Sequence, residues 1–175
     1  MKPPDSHETT ADTSAGAFAR HHPPLLRYAT RLTGDADRAQ DIVQDTFAKL
    51  LAQPPGAVDG HLAEWLFTVC RHRAVDVLRK EGRMTSLDAL PTDALPATPE
   101  PPPAATLERA ETHAALLRLL SELPTNQQEV VRLKFQNGFS YQEISRITAL
   151  SVSNVGFLLH TALRRLRADF SAQRP

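Results

Sequence analysis

The sequence predicts an all-α fold of two small helical domains joined by a flexible, proline-rich linker. Apolar residues recur at helical spacing along most of the 175 residues, and no segment shows the alternation typical of a strand. Six of the 14 prolines fall between residues 84 and 105, where they exclude a regular helix or sheet. With 41% hydrophobic but only 6% aromatic residues, the composition fits small helical domains better than one large core.

The first predicted domain spans residues 17–83, after a polar tail at residues 1–16 that we expect to be disordered. Its first helix carries an apolar stripe that Gly34 ends. The stripe consists of Leu25, Leu26, Ala29 and Leu32. Pro23 and Pro24 are expected to start or kink this helix, because proline removes a backbone amide and clashes with the preceding turn.

The next helix is predicted to begin after Asp35, whose carboxylate can cap it. Its predicted apolar face is Ile42, Val43, Phe47, Leu50 and Leu51. The breaker-rich loop QPPGAVDG then leads to a third helix, from about residue 62 to 80. Its inward side chains are predicted to be Leu62, Trp65, Leu66, Val69, Val75 and Leu78. We interpret Trp65 as core packing, because it lies on this stripe.

The predicted linker spans residues 84–105, and the second domain spans residues 106–170. The first segment of the second domain has apolar residues at helical spacing. They are Leu107, Ala110, Ala114, Leu117 and Leu120. A helix from about residue 126 to 135 follows Pro124, and Asn137-Gly138 predicts a turn.

The most informative segment is 140–167, which predicts two capped helices separated by a very short turn. Ser140 and Glu143 have the spacing of a capping box. The second helix, capped by Ser151 or Ser153, has a predicted buried stripe of Val152, Val155, Leu159, Ala162, Leu163 and Leu166. Two helices joined in this way are typical of a helix-turn-helix, which places its second helix in the DNA major groove.

Charge and cysteine content restrict the function further. The formal net charge is zero, but residues 17–83 and 106–175 carry +2 and +3, against −2 in residues 1–16 and −3 in residues 84–105. A single cysteine, Cys70, excludes an internal disulfide framework and favours the cytoplasm.

No segment has the length of a membrane span or the pattern of a signal peptide. No cofactor or metal is predicted, because the histidines are dispersed and lack ligand spacing.

Three segments, in this order, resemble those of a bacterial sigma factor of the extracytoplasmic-function (ECF) type, in the sigma-70 family. LLRYATRLTGDADRAQDIVQDTFAKLL is similar to the polymerase-binding segment, and HLAEWLFTVCRHRAVDVLRKEGR to the segment that reads the −10 promoter element. LSELPTNQQEVVRLKFQNGFSYQEISRITALSVSNVGFLLHTALRRLR is similar to the −35-binding domain. The resemblance implies a non-catalytic subunit that binds core RNA polymerase and selects promoter DNA.

The resemblance also implies three sets of site residues. The polymerase-binding set is Asp37, Gln40, Asp41, Gln44, Asp45 and Lys49. The −10 DNA-binding set is Arg71, His72, Arg73, Arg79, Lys80 and Arg83. The −35 DNA-binding set is Ser153, Asn154, Phe157, His160, Thr161, Arg164 and Arg165. Many relatives carry asparagine in place of His72 and basic residues in place of Gly156 and Leu158, so the DNA preference of this chain is expected to differ from theirs.

Two other functions were compared with the sequence features above. A self-standing helix-turn-helix regulator would need a sensor or dimerisation domain in the N-terminal block. A metal-dependent hydrolase would need ligand spacing that the histidines lack. An anti-sigma protein is a further expected partner, since such proteins are common among the families that the chain resembles.

Overall fold

The computed structural model describes the backbone of residues 6–82 and 107–172, and the side chains of residues 16–82 and 113–171. These ranges contain helices and no strand, which confirms the predicted all-α class. The helices are α1 (Ser6–Thr33), α2 (Ala36–Leu51), α3 (Leu62–Lys80), α4 (Leu107–Ser121), α5 (Thr125–Phe135), α6 (Tyr141–Thr148) and α7 (Val152–Ala172). The chain divides into two compact units, Met1–Thr85 and Ser86–Pro175. The predicted linker, residues 84–105, lies outside the described residues.

Helix α1 is longer than the sequence predicted. It begins at Ser6 and not near residue 17, and it continues through Pro23 and Pro24. Proline inside a helix costs about 3 kcal/mol. Complete burial of Leu25 and Ala29 just after the two prolines offsets that cost. The helix thus extends into the predicted tail, and helix propagation from an anchored segment is much easier than nucleation.

Helix α2 begins as predicted, at an Asp35 cap. One carboxylate oxygen of Asp35 accepts hydrogen bonds from the backbone N–H groups of Asp37 and Arg38, at 3.0 and 3.1 Å. The buried face of α2 is Ala39, Ile42, Val43, Thr46 and Phe47. Leu51 is 72% exposed, so its assignment to the apolar face was wrong. It is the last residue of the helix, where the stripe has already turned away from the neighbouring helices.

The core face of α3 is displaced from the predicted stripe. The buried residues are Leu66, Phe67, Cys70, Arg71, Ala74 and Leu78. Leu66 and Leu78 were predicted correctly, whereas Leu62, Trp65, Val69 and Val75 are only half-buried. At 100° per residue, Trp65 lies on the same face as His72 and Arg79, away from the buried residues. The prediction that Trp65 is a core residue was therefore wrong.

An ion pair fixes how the helices of the first unit meet. Arg38, near the start of α2, lies 2.9 Å from the carboxylate of Glu81, just after α3. A two-residue turn also joins the end of α1 to the start of α2. The end of α1, the start of α2 and the end of α3 therefore lie together at one end of this unit.

The second unit consists of α4–α7. The buried Gln128 side chain donates hydrogen bonds to the backbone carbonyls of Ser121 and Leu123, at 3.1 and 2.8 Å, and so fastens the turn before α5. The predicted turn after α5 contains Gly138 with a φ of 76°. Helix α4 buries Leu119 and Leu120, whereas Ala114 of the predicted stripe is exposed. An apolar cleft of about 360 Å³ remains between α4, α5 and α7.

Candidate nucleic-acid interface

Helices α6 and α7 form the predicted helix-turn-helix. The Ser140 hydroxyl accepts from the backbone N–H of Glu143, and the Glu143 carboxylate accepts from the backbone N–H of Ser140, at 3.3 and 2.7 Å. Hydrogen bonding to Ser140 lowers the pKa of Glu143. The capping box is thus confirmed, and it fixes where α6 begins.

The turn between α6 and α7 is three residues long and is held by side-chain hydrogen bonds. The Ser145 hydroxyl donates to the Leu150 carbonyl at 2.6 Å, and the Ser151 hydroxyl accepts from the Asn154 backbone N–H at 3.2 Å. Ser151, and not Ser153, therefore caps α7. Ala149 has a φ of 60°, in the left-handed region that favours glycine.

Replacing Ala149 with glycine is expected to raise the free energy of unfolding of the second unit by about 1 kcal/mol. A non-glycine residue pays roughly 1–2 kcal/mol for the left-handed conformation, and the greater freedom of unfolded glycine cancels part of that gain. Urea unfolding followed by circular dichroism measures the change. As a control, Ala114→Gly, on the exposed surface of α4, should lower stability by about 1 kcal/mol. Destabilisation by both substitutions would contradict the argument.

The predicted −35 residues lie on the outer side of α7. Ser153, Asn154, Phe157, His160, Arg164 and Arg165 are exposed, and Thr161 is half-buried. Ser153, Phe157 and Arg164 share one line along the helix, at spacings of four and seven residues. Phe157 is 66% exposed, which is unusual for a large apolar side chain. Arg165 lies to one side of this line and pairs with Asp169 at 3.7 Å.

The inner side of α7 corrects two sequence expectations. Val152 is exposed, although it was assigned to the buried stripe, because it is the first helical residue and lies beyond the contact with α6. Leu158, where many relatives are basic, is buried and adds to the core. Gly156 faces Tyr141, and a Cβ added to Gly156 would lie 3.7 Å from the Tyr141 ring. Lys134 lies over the same ring, with Nζ 5.5 Å from its centroid.

The predicted −10 residues on α3 do not form one continuous surface. Arg71 is only 5% exposed and takes part in an interaction, so its side chain does not lie on the exposed surface of α3. Its long side chain belongs to the core face of α3, a position that its charge alone did not indicate. His72, Arg79 and Lys80 are exposed. Arg83 lies outside the described residues.

One ion pair links the predicted polymerase set to the predicted −10 set. The Arg73 Nε donates to the Asp45 carboxylate at 2.9 Å, which joins α3 to α2. Both side chains are partly exposed. The structure therefore brings the two sets together at this edge of the first unit, and neither residue is free to act alone.

The outer face of α2 carries a column of carboxylates. Asp37, Asp41 and Asp45 follow one another at four-residue spacing, and Asp37 and Asp41 are exposed. Gln40, Gln44 and Lys49 are exposed around them. Like charges four residues apart destabilise a helix by a few tenths of a kcal/mol for each pair. The Asp37–Asp41 pair therefore costs a little stability in the free chain, whereas the charge of Asp45 is compensated by Arg73.

The remaining titratable side chains of the described residues include one buried thiol, that of Cys70. No group of three His, Cys, Asp or Glu residues within the described residues could hold a metal ion. Burial raises the pKa of the Cys70 thiol to about 12, so it remains protonated and unreactive at neutral pH. Within the described helices, none is long and apolar enough to cross a membrane.

Comparison with known proteins gives matches to both units. Residues 17–84 match the family "Sigma-70 region 2", and residues 113–166 match "Sigma-70, region 4". The ECF RNA polymerase sigma factor EcfG of Rhodopseudomonas palustris is 34% identical over 147 residues, which cover 83% of this chain and 78% of that protein. The ECF RNA polymerase sigma factor SigL of Mycobacterium tuberculosis is 30% identical over 157 residues, with 86% and 84% coverage.

The fold has a solved counterpart. The sigma factor RpoE, in a co-crystal structure with the anti-sigma factor NepR from Bartonella quintana, is similar to this chain with a TM-score of 0.64. The similarity covers 92% of this chain and 98% of that one, at 24% sequence identity. At this level of identity the likeness supports the fold, independently of the sequence matches.

Proposed function

The chain belongs to the ECF sigma factors of the sigma-70 family, and from that premise we propose which of its surfaces carries each part of the function. As a sigma factor, it binds core RNA polymerase and directs promoter-specific initiation of transcription. The polymerase performs the chemistry, and this chain contributes recognition. A cytoplasmic location belongs to the same proposal, because core polymerase works there.

The outer face of α2 is the proposed polymerase-binding surface. The observation that supports this assignment is the carboxylate column of Asp37, Asp41 and Asp45, in which the exposed Asp37 and Asp41 repel each other along the helix. A cationic partner would relieve that repulsion. In the family, the matching segment meets the coiled coil of the largest polymerase subunit.

The proposed −10 surface is the exposed side of α3, with His72, Arg79 and Lys80 as its cations and hydrogen-bond donors. The proposed −35 surface is the outer line of α7. There Asn154 can pair with adenine, Phe157 can contact a thymine methyl, and Arg164 can bind guanine or a phosphate. Arg73 can contribute to the −10 surface only while it is paired with Asp45, because the two side chains form an ion pair.

An anti-sigma protein is a further proposed partner. The structurally similar RpoE was crystallised with one, which supports the proposal without identifying the partner of this chain.

Run-off transcription tests the proposed function directly. Purified chain and core polymerase are incubated with a library of promoter fragments, and the transcribed templates are sequenced. We expect transcripts from templates that share two elements, at −35 and −10, and none from core polymerase alone. A self-standing regulator would bind DNA without co-purifying with core polymerase and would not start transcription in this assay.

Replacing Arg164 with alanine is expected to weaken holoenzyme binding to the selected promoter by about 1–3 kcal/mol, if the guanidinium reads a base. The loss should be largest on the preferred −35 base and smaller when that base is changed. Arg118→Ala on α4 is the matched control, because Arg118 is also exposed but lies on no proposed surface. Equal loss on every −35 sequence would show a phosphate contact instead of base reading.

A further inference from the structure

Helix α1 carries a row of arginines that none of the surfaces above includes. Arg20, Arg27 and Arg31 are spaced by seven and four residues, so they lie within about 40° of one another around the helix. Arg20 and Arg27 are exposed, and Arg31 is half-buried. The sequence contains no aspartate or glutamate between Gly16 and Gly34. The row is therefore cationic along its whole length.

The arginine row has no counterion among the described side chains of the first unit. Among the described side chains, no carboxylate forms an ion pair with Arg20, Arg27 or Arg31. The nearby acids at this end of the unit are already engaged, since Arg38 pairs with both Asp35 and Glu81. A row of cations without neighbouring carboxylates produces a positive potential that favours a bound anion.

Arg31 gives a second, independent indication. Its Nε is buried and has no hydrogen-bond partner among the described atoms. Burial, and then repulsion from Arg27, lowers the pKa of the Arg31 guanidinium. Buried donors normally have partners, and a donor without one destabilises the fold. An anion bound between Arg27 and Arg31 would relieve the repulsion between the two guanidinium groups.

We propose that the arginine row of α1 binds the phosphate backbone of promoter DNA, as a contact independent of base sequence. This proposal rests on the proposed function only in taking promoter DNA as the polyanion. The row differs from the −10 surface, because it lies on another helix of the same unit.

Spacing and residue type favour DNA over an acidic protein. At 1.5 Å per residue, the arginines are separated by roughly 10 Å and 6 Å along the helix axis. Each strand of B-DNA carries one phosphate per roughly 3.4 Å, so each arginine can reach a separate phosphate. All three cations are arginine, whose planar guanidinium matches the geometry of phosphate oxygens. Between them on this line lies one small apolar residue, Pro24, and no aromatic anchor of the kind that protein interfaces use.

The test uses the full chain alone with a fluorescent mixed-sequence DNA duplex, titrated at several salt concentrations. The wild-type affinity should fall with salt, with a slope proportional to the number of phosphates contacted. Arg27→Gln should reduce that slope by about 0.9, the value for one duplex phosphate. Arg118→Gln on α4 also removes one exposed charge and should leave the slope unchanged. Circular dichroism checks that each variant remains folded.

Binding of each variant to core polymerase completes the experiment. An unchanged slope for Arg27→Gln would overturn the proposal. Weaker polymerase binding by Arg27→Gln with an unchanged DNA slope would also overturn it, and would assign the row to a protein interface. Failure of the wild-type chain to select promoters in run-off transcription would instead contradict the proposed function, while a reduced slope for Arg27→Gln would still support the phosphate contact.

Discussion

Replacing Asp41 and Gln44 with lysine is expected to weaken binding to core RNA polymerase by roughly 100-fold, or about 2.7 kcal/mol. Both side chains are exposed on α2, and neither forms an ion pair with another described residue. If the partner surface is cationic, the change places like charges opposite one another, which costs several kcal/mol. Competition with labelled wild-type chain for core polymerase measures the effect.

The same double variant should be about as stable as the wild type. Lysine at position 41 replaces repulsion from Asp37 and Asp45 by attraction, but it adds like-charge pairs with Arg38 and with the lysine at position 44, each worth a few tenths of a kcal/mol. Weaker binding together with unchanged stability would separate lost polymerase recognition from lost folding. Asp45 is deliberately left intact, because its replacement would also release Arg73.

A matched control for this charge change is Glu122→Lys with Ala114→Lys, on exposed positions of the second unit. It alters the net charge by the same amount and should leave polymerase binding unchanged. If the α2 variant competes as well as the wild type, the assignment of α2 to the polymerase is wrong. If both variants lose affinity equally, the cause is net charge and not the α2 surface.

Replacing Phe67 with alanine is expected to lower the free energy of unfolding of the first unit by about 3–5 kcal/mol. Phe67 is 2% exposed, and its ring lies 5.1 Å from the ring of Tyr28. The substitution therefore leaves a cavity between α1 and α3 and removes an aromatic contact. This is a large part of the 5–15 kcal/mol that stabilises a typical domain.

Urea unfolding followed by tryptophan fluorescence measures this loss, since Trp65 reports on the first unit alone. Circular dichroism should show a second transition at the wild-type midpoint, because the second unit has its own core. The control is Leu62→Ala on the same helix, where the half-buried side chain should cost less. A larger loss for Leu62→Ala than for Phe67→Ala would show that the predicted stripe of α3 was the correct one.

The candidate interface could be predicted from sequence where local patterns decide it. Ser140 and Glu143 form their capping box within four residues, and Asp35 caps α2 in the same way. The exposed line of α7 followed from helical periodicity, because the buried positions Val155, Leu159 and Ala162 fix the opposite face. Spacing therefore identified which side chains of α7 point outward.

The sequence analysis missed the contacts that join one helix to another. No local pattern predicts that Arg73 pairs with Asp45, 28 residues away, or that Arg71 is buried. The arginine row of α1 had a sequence signal, the absence of any acid from residue 16 to 34, but its lack of counterions required the structure. Arg31 in particular became notable only when its buried Nε was found without a partner.

By itself, the sequence determined the helical class, the start of α2, the capping box of α6 and the outward line of α7. These features depend on interactions within a few residues, or on a strong apolar periodicity. Only the tertiary structure decided which side of α3 is buried and that α1 continues through Pro23 and Pro24. The physical reason is that several faces of α3 carry apolar residues, and contacts with neighbouring helices select among them. In α1, the burial of Leu25 and Ala29 against those neighbours outweighs the local cost of proline.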